Sequence, residues 1–240
     1  MKKPILKVFV FILVLAALAV ALNYPFTTRQ GIDFEVRELK IPLYLKSLDF
    51  IDRYYNYGVL AERIVSGKKS DTEKAVAILK WTKENIRENP KSLPVVDDHT
   101  WHIIVRGYGT DDQFQDVFST LCNRSGVGAF FSKVIPSGGG RMRNFSFVRL
   151  ERGWAVFDAY HGIYFVNSGG EPAILDEIRA GGCKAARVSE DKGEGDYSIY
   201  FGALASTDNA SWESSRAAIQ SPVRRFLFWI KGGKKQAAGN

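Results

Sequence analysis

The sequence predicts an α+β domain behind an N-terminal apolar segment, and three observations support this fold class. Apolar residues recur at helical spacing in the first half of the chain and with a period of two after residue 126. Capping residues and glycines mark the ends of the predicted helices, and glycine-rich turns separate the predicted strands. Helices followed by antiparallel strands are the element order of an α+β fold.

The N-terminal segment, residues 1–26, has the pattern of a membrane-targeting sequence. The cationic start MKKPILK precedes an unbroken apolar run from Val8 to Leu22. That run has the length of a signal-peptide core, and AVA offers a cleavage site. Counted from Pro4 to Phe26, the segment approaches the roughly 20 residues of a spanning helix. An anchor, a cleaved signal and a buried core helix all stay open. The first two place the rest of the chain outside the cytoplasm, because the lysines stay inside.

Helical patterns dominate the segment that follows. We expect a helical lead-in over residues 27–69, polar at its start and then apolar at helical spacing, with a break at Gly58. Ser70 and Glu73 form a capping box, which predicts the start of a second helix. Pro90 lies just beyond the end of this helix.

The stretch GYGTDDQFQDVFSTLCNRSGVGAFF is central to the interpretation of this chain. A loop is predicted over residues 91–109, and a helix then runs from about Asp111 to Arg124. Ser125-Gly126 provides the C-terminal stop of that helix. The two aspartates at its start suit the positive end of the helix dipole.

Beyond this helix, four segments alternate like half-buried strands: VGAFFSKVI, NFSFVRLE, GWAVFDAY and HGIYFVN. ILDEIRAGG predicts a short helix, and GEGDYSIYFGAL predicts one more strand or an irregular return. We assign residues 70–210 to one domain and residues 211–240 to a basic, aromatic tail.

Basic residues are concentrated at the two ends of the chain. The formal net charge is +7, but the middle of the sequence is nearly balanced, so we expect no nucleic-acid partner. The tail SPVRRFLFWIKGGKKQ joins aromatic residues to flanking cations, a pattern typical of membrane-surface helices. A terminal helix packed on the domain, with a frayed basic end, is the alternative.

The two cysteines do not indicate a metal-stapled fold. Neither Cys122 nor Cys183 lies in a CxxC pair or has zinc-site spacing to a histidine. A disulfide between them requires the two segments to meet in space, which the sequence leaves open. We expect no cofactor.

The order of these elements resembles the transglutaminase-like superfamily over residues 70–168. DTEKAVAILKWTKENIREN is similar to the opening helix of that family, and DQFQDVFSTLCNRSGVGA to its nucleophile helix. Val127-Gly128-Ala129 stands where that family has Ile-Pro-Ala, and GWAVFDAYHG is similar to the strand that carries its triad acid. The resemblance implies a papain-like fold, with the nucleophile-type helix packed on an antiparallel sheet.

Enzymes of that family attack glutamine or other amide carbonyls with a Cys-His-Asp triad. The cysteine lies at a helix N-terminus, a histidine carries the proton, and a carboxylate orients the histidine ring. The resemblance places the nucleophile at Asp111, or at Thr110 or Asp112 after a one-residue slip. It places the histidine at Arg143, and only Asp158 has the expected residue type.

The residues at these positions allow two interpretations. In the first, Thr110 and Gln113 form a capping box, and the acids suit the helix dipole. In the second, Asp111, Arg143 and Asp158 meet in space and replace the thiolate–imidazolium pair with a carboxylate and a guanidinium. The signs of the charges then persist while the chemistry is lost, because a guanidinium does not release its proton near neutral pH.

Cys122 is not expected to replace the missing nucleophile. It shares the apolar stripe of its helix with Phe114, Phe118 and Leu121, which predicts a core position. It also lies about 16 Å further along the helix axis than Asp111.

The histidines offer two further hypotheses. Asp97, Asp98, His99 and His102 form a loose cluster that could hold a metal, although solvated or turn-forming acids account for the same residues. His161 follows the acid strand and becomes an alternative base if it folds back over the site. A structural role is the plainer interpretation of His161.

The sequence therefore predicts a membrane-tethered, extracytoplasmic transglutaminase-like protein, periplasmic or at the cell surface, that has lost thiol catalysis. It would act as a binding or structural module at the cell envelope, with a peptide or glycan ligand in the old substrate cleft. The competing class is an active acyl-transfer or amide-hydrolysing enzyme. Such an enzyme would use Asp111 with His161, or a metal at His99 and His102.

Overall fold

The structure is a computed structural model, and its contacts divide the chain into two units. One unit comprises residues 1–55 with 94–98, and the other comprises residues 56–93 with 99–240. The candidate site lies entirely within the second unit. The described residues are 3–33, 35–97, 99–136, 138–189, 196–204 and 206–231.

Helices and strands alternate irregularly before residue 125, and a meander of strands follows. In chain order the elements are α1 (Lys3–Asn23), β1 (Pro25–Ile32), β2 (Glu35–Pro42), α2 (Leu43–Ile64), α3 (Asp71–Asn85), β3 (Arg87–Glu88), β4 (Val96–Asp97), α4 (Thr100–Arg106), β5 (Tyr108–Gly109), α5 (Asp111–Arg124), β6 (Ala129–Val134), β7 (Arg143–Leu150), β8 (Gly153–Asp158), β9 (Ile163–Val166), α6 (Leu175–Ala180), β10 (Lys184–Arg187), α7 (Ser198–Phe201), α8 (Asn209–Glu213), a 3-10 turn (Ala218–Gln220) and α9 (Pro222–Ile230).

Helix α1 is long enough and apolar enough to cross a membrane. The segment Pro4–Asn23 has a mean hydropathy of 3.0, and none of it is buried against the protein. An anchor and a signal sequence both have these properties. The third interpretation, a buried core helix, is wrong because the helix is exposed along its length.

A β-hairpin follows α1, where the sequence predicted a helical lead-in. Strands β1 and β2 pair antiparallel with Ile32 opposite Glu35, and Asp33 in the turn has a φ of 50°. The β-branched residues Thr27 and Thr28 favour extended backbone. The hairpin escaped prediction because most of its residues are exposed, and an exposed strand needs no alternation of apolar and polar side chains.

Two further expectations for the helical half of the chain are wrong. Helix α2 continues through Gly58, whose position has no atom within 4 Å of an added Cβ. One helical glycine costs about 1 kcal/mol, which the packing of Ala61 and Leu60 in the core offsets. Helix α4 lies within the predicted loop and is anchored by Ile103, which is buried. Seven residues are too few to show a clear helical period.

The predicted helix that starts after Ser70 is confirmed. The backbone N–H of Glu73 donates to Ser70 Oγ (3.1 Å), and the N–H of Ser70 donates to Glu73 Oε2 (3.2 Å). Hydrogen bonds from the backbone N–H groups of Lys69 and Ser70 lower the pKa of Glu73. The helix packs on the core through Ile78 and Leu79.

The sheet and its helices confirm the predicted α+β class. The five-stranded antiparallel sheet has the order β10-β9-β8-β7-β6, and β6 to β9 are the four predicted strands. Helix α6 is also confirmed, whereas β10 was not predicted. The described part of GEGDYSIYFGAL forms helix α7 rather than a strand, and residues 190–195 lie outside the described residues.

Helices cover one face of the sheet, and the C-terminal segment covers the other. The site lies where these three layers meet. Helix α5 packs on β6 and β7, where Phe118 and Phe157 share a core with the other helices. The opposite face buries Phe145 and Trp154 against residues of the C-terminal segment, including Tyr197. Helix α5 therefore carries the nucleophile-type position onto an antiparallel sheet, as predicted.

Candidate functional site

A buried glutamine on α5 joins the two carboxylates of the site. Gln115 is fully buried, and its Nε2 lies 3.4 Å from Asp158 Oδ1 and 3.5 Å from Asp111 Oδ1. Its Oε1 accepts from Ser146 Oγ (2.7 Å) and from the backbone N–H of Ala159 (3.2 Å). A buried amide is stable only when its polar atoms are paired. Gln115 meets this condition by linking α5 to β7 and β8.

Asp158 ends strand β8 and is the most densely contacted acid of the site. It is 1% exposed, and its Oδ2 accepts from the Tyr197 hydroxyl at 2.9 Å. The same oxygen lies 2.7 Å from His161 Nδ1 and 3.8 Å from Arg143 Nη1. Its Oδ1 accepts from the backbone N–H of His161 at 3.1 Å. The Asp158 carboxylate is thus contacted by Tyr197, His161 and Arg143.

Asp111 lies at the first position of α5, directly after the N-cap residue Thr110. Its Oδ2 accepts from Asn144 Nδ2 (2.8 Å) and from the Asn144 backbone N–H (3.3 Å). Burial raises the pKa of Asp111, and the negative charge of Asp158 adds to this rise against the lowering effect of Asn144. The predicted capping contact is present, because Thr110 N–H donates to Gln113 Oε1 at 3.1 Å.

Arg143 is the first residue of β7 and reaches the opposite side of the site from Asn144. Its guanidinium lies 5.0 Å from the ring centroid of Tyr197 and 5.6 Å from that of Tyr200. Both distances are those of cation–π contacts. Burial, followed by the charge of Asp158, raises the pKa of Tyr197. Tyr197 therefore keeps its proton and donates to Asp158 at physiological pH.

The structure brings the predicted site residues Asp111, Arg143 and Asp158 into one network. His161, the alternative base, belongs to the same network through its contacts with Asp158. His161 also packs edge-on against Tyr160, with ring centroids 4.8 Å apart. The pKa of Tyr160 is raised to about 12 by burial and by its neighbour Glu88.

The metal cluster that the sequence left as an alternative is not assembled by the residues that the structure describes. Within them, no group of three or more His, Cys, Asp and Glu side chains could hold an ion. The ring centroids of His99 and His102 are 5.9 Å apart, and Asp97 belongs to the first unit. The fourth residue of the hypothesis, Asp98, lies outside the described residues.

Sequence reasoning missed four residues whose side chains belong to the network: Gln115, Asn144, Ser146 and Tyr197. Gln115 lies four residues after Asp111, so both share one helix face, and this spacing was a signal that could have found it. Asn144 adjoins Arg143 in the strand. Tyr197 carries no local signal, because its short helix comes from a segment far along the chain.

Neither cysteine has the environment of a reactive thiol. Cys122 is fully buried in the core, as predicted, and burial raises the pKa of its thiol well above the usual range. Cys183 is half-buried, and burial followed by the charge of Glu177 raises its pKa as well. The two thiols are not paired with each other. Reactive cysteines need the opposite shift, toward a low pKa.

The network can orient charges, and neither cysteine of the chain belongs to it. Arg143 does not release a proton near neutral pH, and the Asp111 carboxylate is held by the amide of Asn144 rather than by a base. The contact of His161 Nδ1 with Asp158 is the one arrangement within this network that resembles a base and its orienting acid.

The raised pKa of Asp111 predicts a pH dependence of stability. Its pKa is higher in the folded than in the unfolded chain, so protonation favours the folded state, and stability falls as pH rises through the folded value. Asp111→Asn removes the titrating carboxyl group, and with it this fall in stability as pH rises. We expect the variant to gain stability relative to the wild type between about pH 4 and pH 7, measured by urea unfolding. Asp112→Asn, at an exposed neighbour, is the control, and an equal gain there would contradict the assignment.

Comparison with known protein families finds one match, over part of the chain. Residues 59–159 match the model of the transglutaminase-like superfamily, which confirms the resemblance predicted from the sequence. No curated protein matches the chain.

Three solved structures resemble the chain weakly. A proposed cysteine protease from Cytophaga hutchinsonii is 15% identical with a TM-score of 0.39, and the match covers 56% of this chain and 47% of that one. A proposed protease from Parabacteroides distasonis is 12% identical with a TM-score of 0.37, covering 55% and 35%. A transglutaminase structure is 11% identical with a TM-score of 0.32, covering 60% and 46%. The chain thus spans less than half the length of each.

Proposed function

Because residues 59–159 of this chain are a transglutaminase-like domain, we propose that the protein is a member of that superfamily without thiol catalysis. It works as a binding or structural module at the cell envelope. The observation that supports this proposal is the network of Asp111, Arg143 and Asp158, in which Arg143 Nη1 lies 3.8 Å from Asp158 Oδ2. The resemblance assigns Asp111 to the nucleophile position and Arg143 to the histidine position. The network preserves the signs of the charges of a thiolate–imidazolium pair and omits the sulfur and the transferable proton.

The proposed location is extracytoplasmic and membrane-tethered. Helix α1 is long enough to cross a bilayer, and the cationic residues before it favour a cytoplasmic N-terminus. The domain would then face the periplasm or the cell surface. A peptide or a glycan strand of the envelope is the proposed ligand, since such a strand suits the cleft in which related enzymes hold a substrate.

Arg143 and His161 are two partly exposed network residues that such a ligand can reach. Their side chains are 16% and 23% exposed, whereas that of Asp158 is 2% exposed. The guanidinium offers several donors in one plane, which suits carbonyl, carboxylate or hydroxyl oxygens of a bound strand. The rigid support from Tyr197 and Asp158 would keep these donors pre-oriented.

The proposed absence of thiol catalysis is tested with purified full-length protein in detergent. We expect no release of ammonia and no incorporation of a fluorescent amine when it is incubated with a glutamine-containing peptide. In a Cys183→Ser background, iodoacetamide should label Cys122 only after denaturation in urea, because the thiol is buried and its pKa is raised. Turnover of the peptide, or fast labelling of Cys122 in the native state, would overturn the proposal.

The second candidate function is an amide hydrolase or acyl transferase that uses His161 as its base. It is favoured by the 2.7 Å contact between His161 Nδ1 and Asp158 Oδ2, which would leave Nε2 to accept a proton. The same peptide assay separates the two candidates. Turnover that falls about 100-fold or more in His161→Gln would support the hydrolase, since that is the usual size of a general-base contribution.

A further inference from the structure

The last described helix, α9, presents an apolar stripe to solvent. Val223, Phe226, Leu227 and Ile230 are 66%, 60%, 46% and 59% exposed. Their spacing of i, i+3, i+4 and i+7 places all four on one side of the helix. A contiguous exposed stripe of large apolar residues marks a surface that meets another apolar phase.

The other side of α9 is attached to the domain, which fixes the stripe outward. The Arg224 guanidinium lies 4.6 Å from the ring centroid of Trp212, and the Trp212 indole N–H donates to Asn123 Oδ1 at 2.8 Å. Just before the helix, the Gln220 carbonyl accepts from Arg124 Nη2 at 2.9 Å. Asn123 and Arg124 belong to α5, so α9 is connected to the helix that supports the candidate site.

The charged side chains from residue 214 onward are all cationic, whereas Glu213, just before them, lines a cavity together with Leu227 and Lys231. The sequence from residue 214 to residue 240 contains no Asp or Glu. Helix geometry places Lys231 beside Leu227 at one edge of the stripe and Arg225 on the side of the helix away from the stripe. The cations of the segment are Arg216, Arg224, Arg225, Lys231, Lys234 and Lys235, of which the last two lie outside the described residues.

We propose that α9 binds the surface of an anionic lipid bilayer, with its apolar stripe in the acyl region and its cations at the headgroups. An apolar stripe on a helix that itself carries cations and no acid is complementary to such a surface. The pattern matches a protein groove less well, because a stable protein interface loses charged residues from its centre and pairs those at its rim. Helix α1 is long enough to cross a bilayer, and a chain anchored by α1 would have a membrane surface available for α9 to bind. This inference does not rest on the proposed function of the site.

The test uses the full chain with Cys183→Ser and Phe226→Cys, labelled with a nitroxide and reconstituted into liposomes. Cys122 stays unlabelled because it is fully buried. We expect the label at 226 to be accessible to oxygen and shielded from a water-soluble nickel reagent in phosphatidylglycerol vesicles, and less shielded in phosphatidylcholine. A label at Lys133, an exposed residue of β6, is the water-accessible reference.

A charge-reversed variant tests whether the cations of α9 hold the stripe at the lipid surface. Arg225→Glu with Lys231→Glu should lower the ratio of shielded to exposed label at least about tenfold in anionic vesicles, since each cation contributes on the order of a fivefold factor. The proposal is overturned if the label is exposed in both lipids, or if it is shielded equally in both. It is also overturned if spin–spin broadening shows that a second copy covers the stripe in detergent.

Discussion

Replacing Asp158 with alanine is expected to lower the free energy of unfolding by about 3–5 kcal/mol, the usual cost of removing one partner from a buried charged pair. Asp158 accepts from Tyr197 and His161 and lies within ion-pair distance of Arg143. Alanine leaves the guanidinium and the tyrosine hydroxyl buried without this acceptor. Urea unfolding of the full-length protein in detergent, followed by tryptophan fluorescence, measures the change.

Two control variants sharpen this expectation. Asp158→Asn keeps the shape and an acceptor oxygen but removes the charge, so its loss should be smaller than that of alanine. Asp176→Ala removes an exposed acid that pairs with Arg179 at 3.5 Å, and exposed pairs contribute about 0–1 kcal/mol. If Asp158→Ala costs no more than Asp176→Ala, the network is not a structural centre of the domain.

Gln115→Met is expected to destabilise the protein by about 2–4 kcal/mol, because it leaves buried polar groups without partners at the cost of about 1–3 kcal/mol each. Methionine matches the length of glutamine and fills its space. The loss therefore reports the amide, which contacts Asp111 and Asp158 through Nε2 and accepts from Ser146 and Ala159. The same unfolding experiment measures it.

Gln115→Glu tests whether the amide separates two like charges. This variant keeps an acceptor for Ser146 but places a third carboxylate between Asp111 and Asp158. We expect it to be less stable than Gln115→Met at pH 7 and to recover as pH falls toward 4, because protonation removes the added repulsion. A glutamate variant as stable as the wild type at pH 7 would show that the two carboxylates do not interact through this position.

The sequence predicted the buried strands and the helix with a clear capping box, and it missed an exposed hairpin and a very short helix. Strands β6 to β9 were predicted because short runs rich in apolar and aromatic residues lie between glycine-containing turns, and α3 was predicted because its capping box is a local signal. The hairpin of β1 and β2 was missed because most of its residues are exposed and no alternation is required. Helix α7 was missed because its four residues are too short for a period.

Some residues of the candidate site were likewise predicted from the sequence, and others were missed. Asp158 followed from the resemblance of GWAVFDAYHG to the strand that carries the triad acid, and Asp111 from the place of the nucleophile in that family's helix. Gln115 was within reach of helical spacing, but a glutamine in a helix is most often a solvent-facing residue. Tyr197 was out of reach, since nothing in the residues around it refers to Asp158.

The sequence by itself determined that the tip of α5 carries no sulfur and that the expected proton carrier is an arginine, because the identity of a residue is a local property. It also determined the α+β order of elements and the apolar N-terminal helix. Only the tertiary structure decided that Asp111 and Asp158 share the amide of Gln115, and that Arg143 lies against Tyr197. These partners come from α5, β7, β8 and the start of α7, and their proximity arises from packing on both faces of the sheet, which no local pattern encodes.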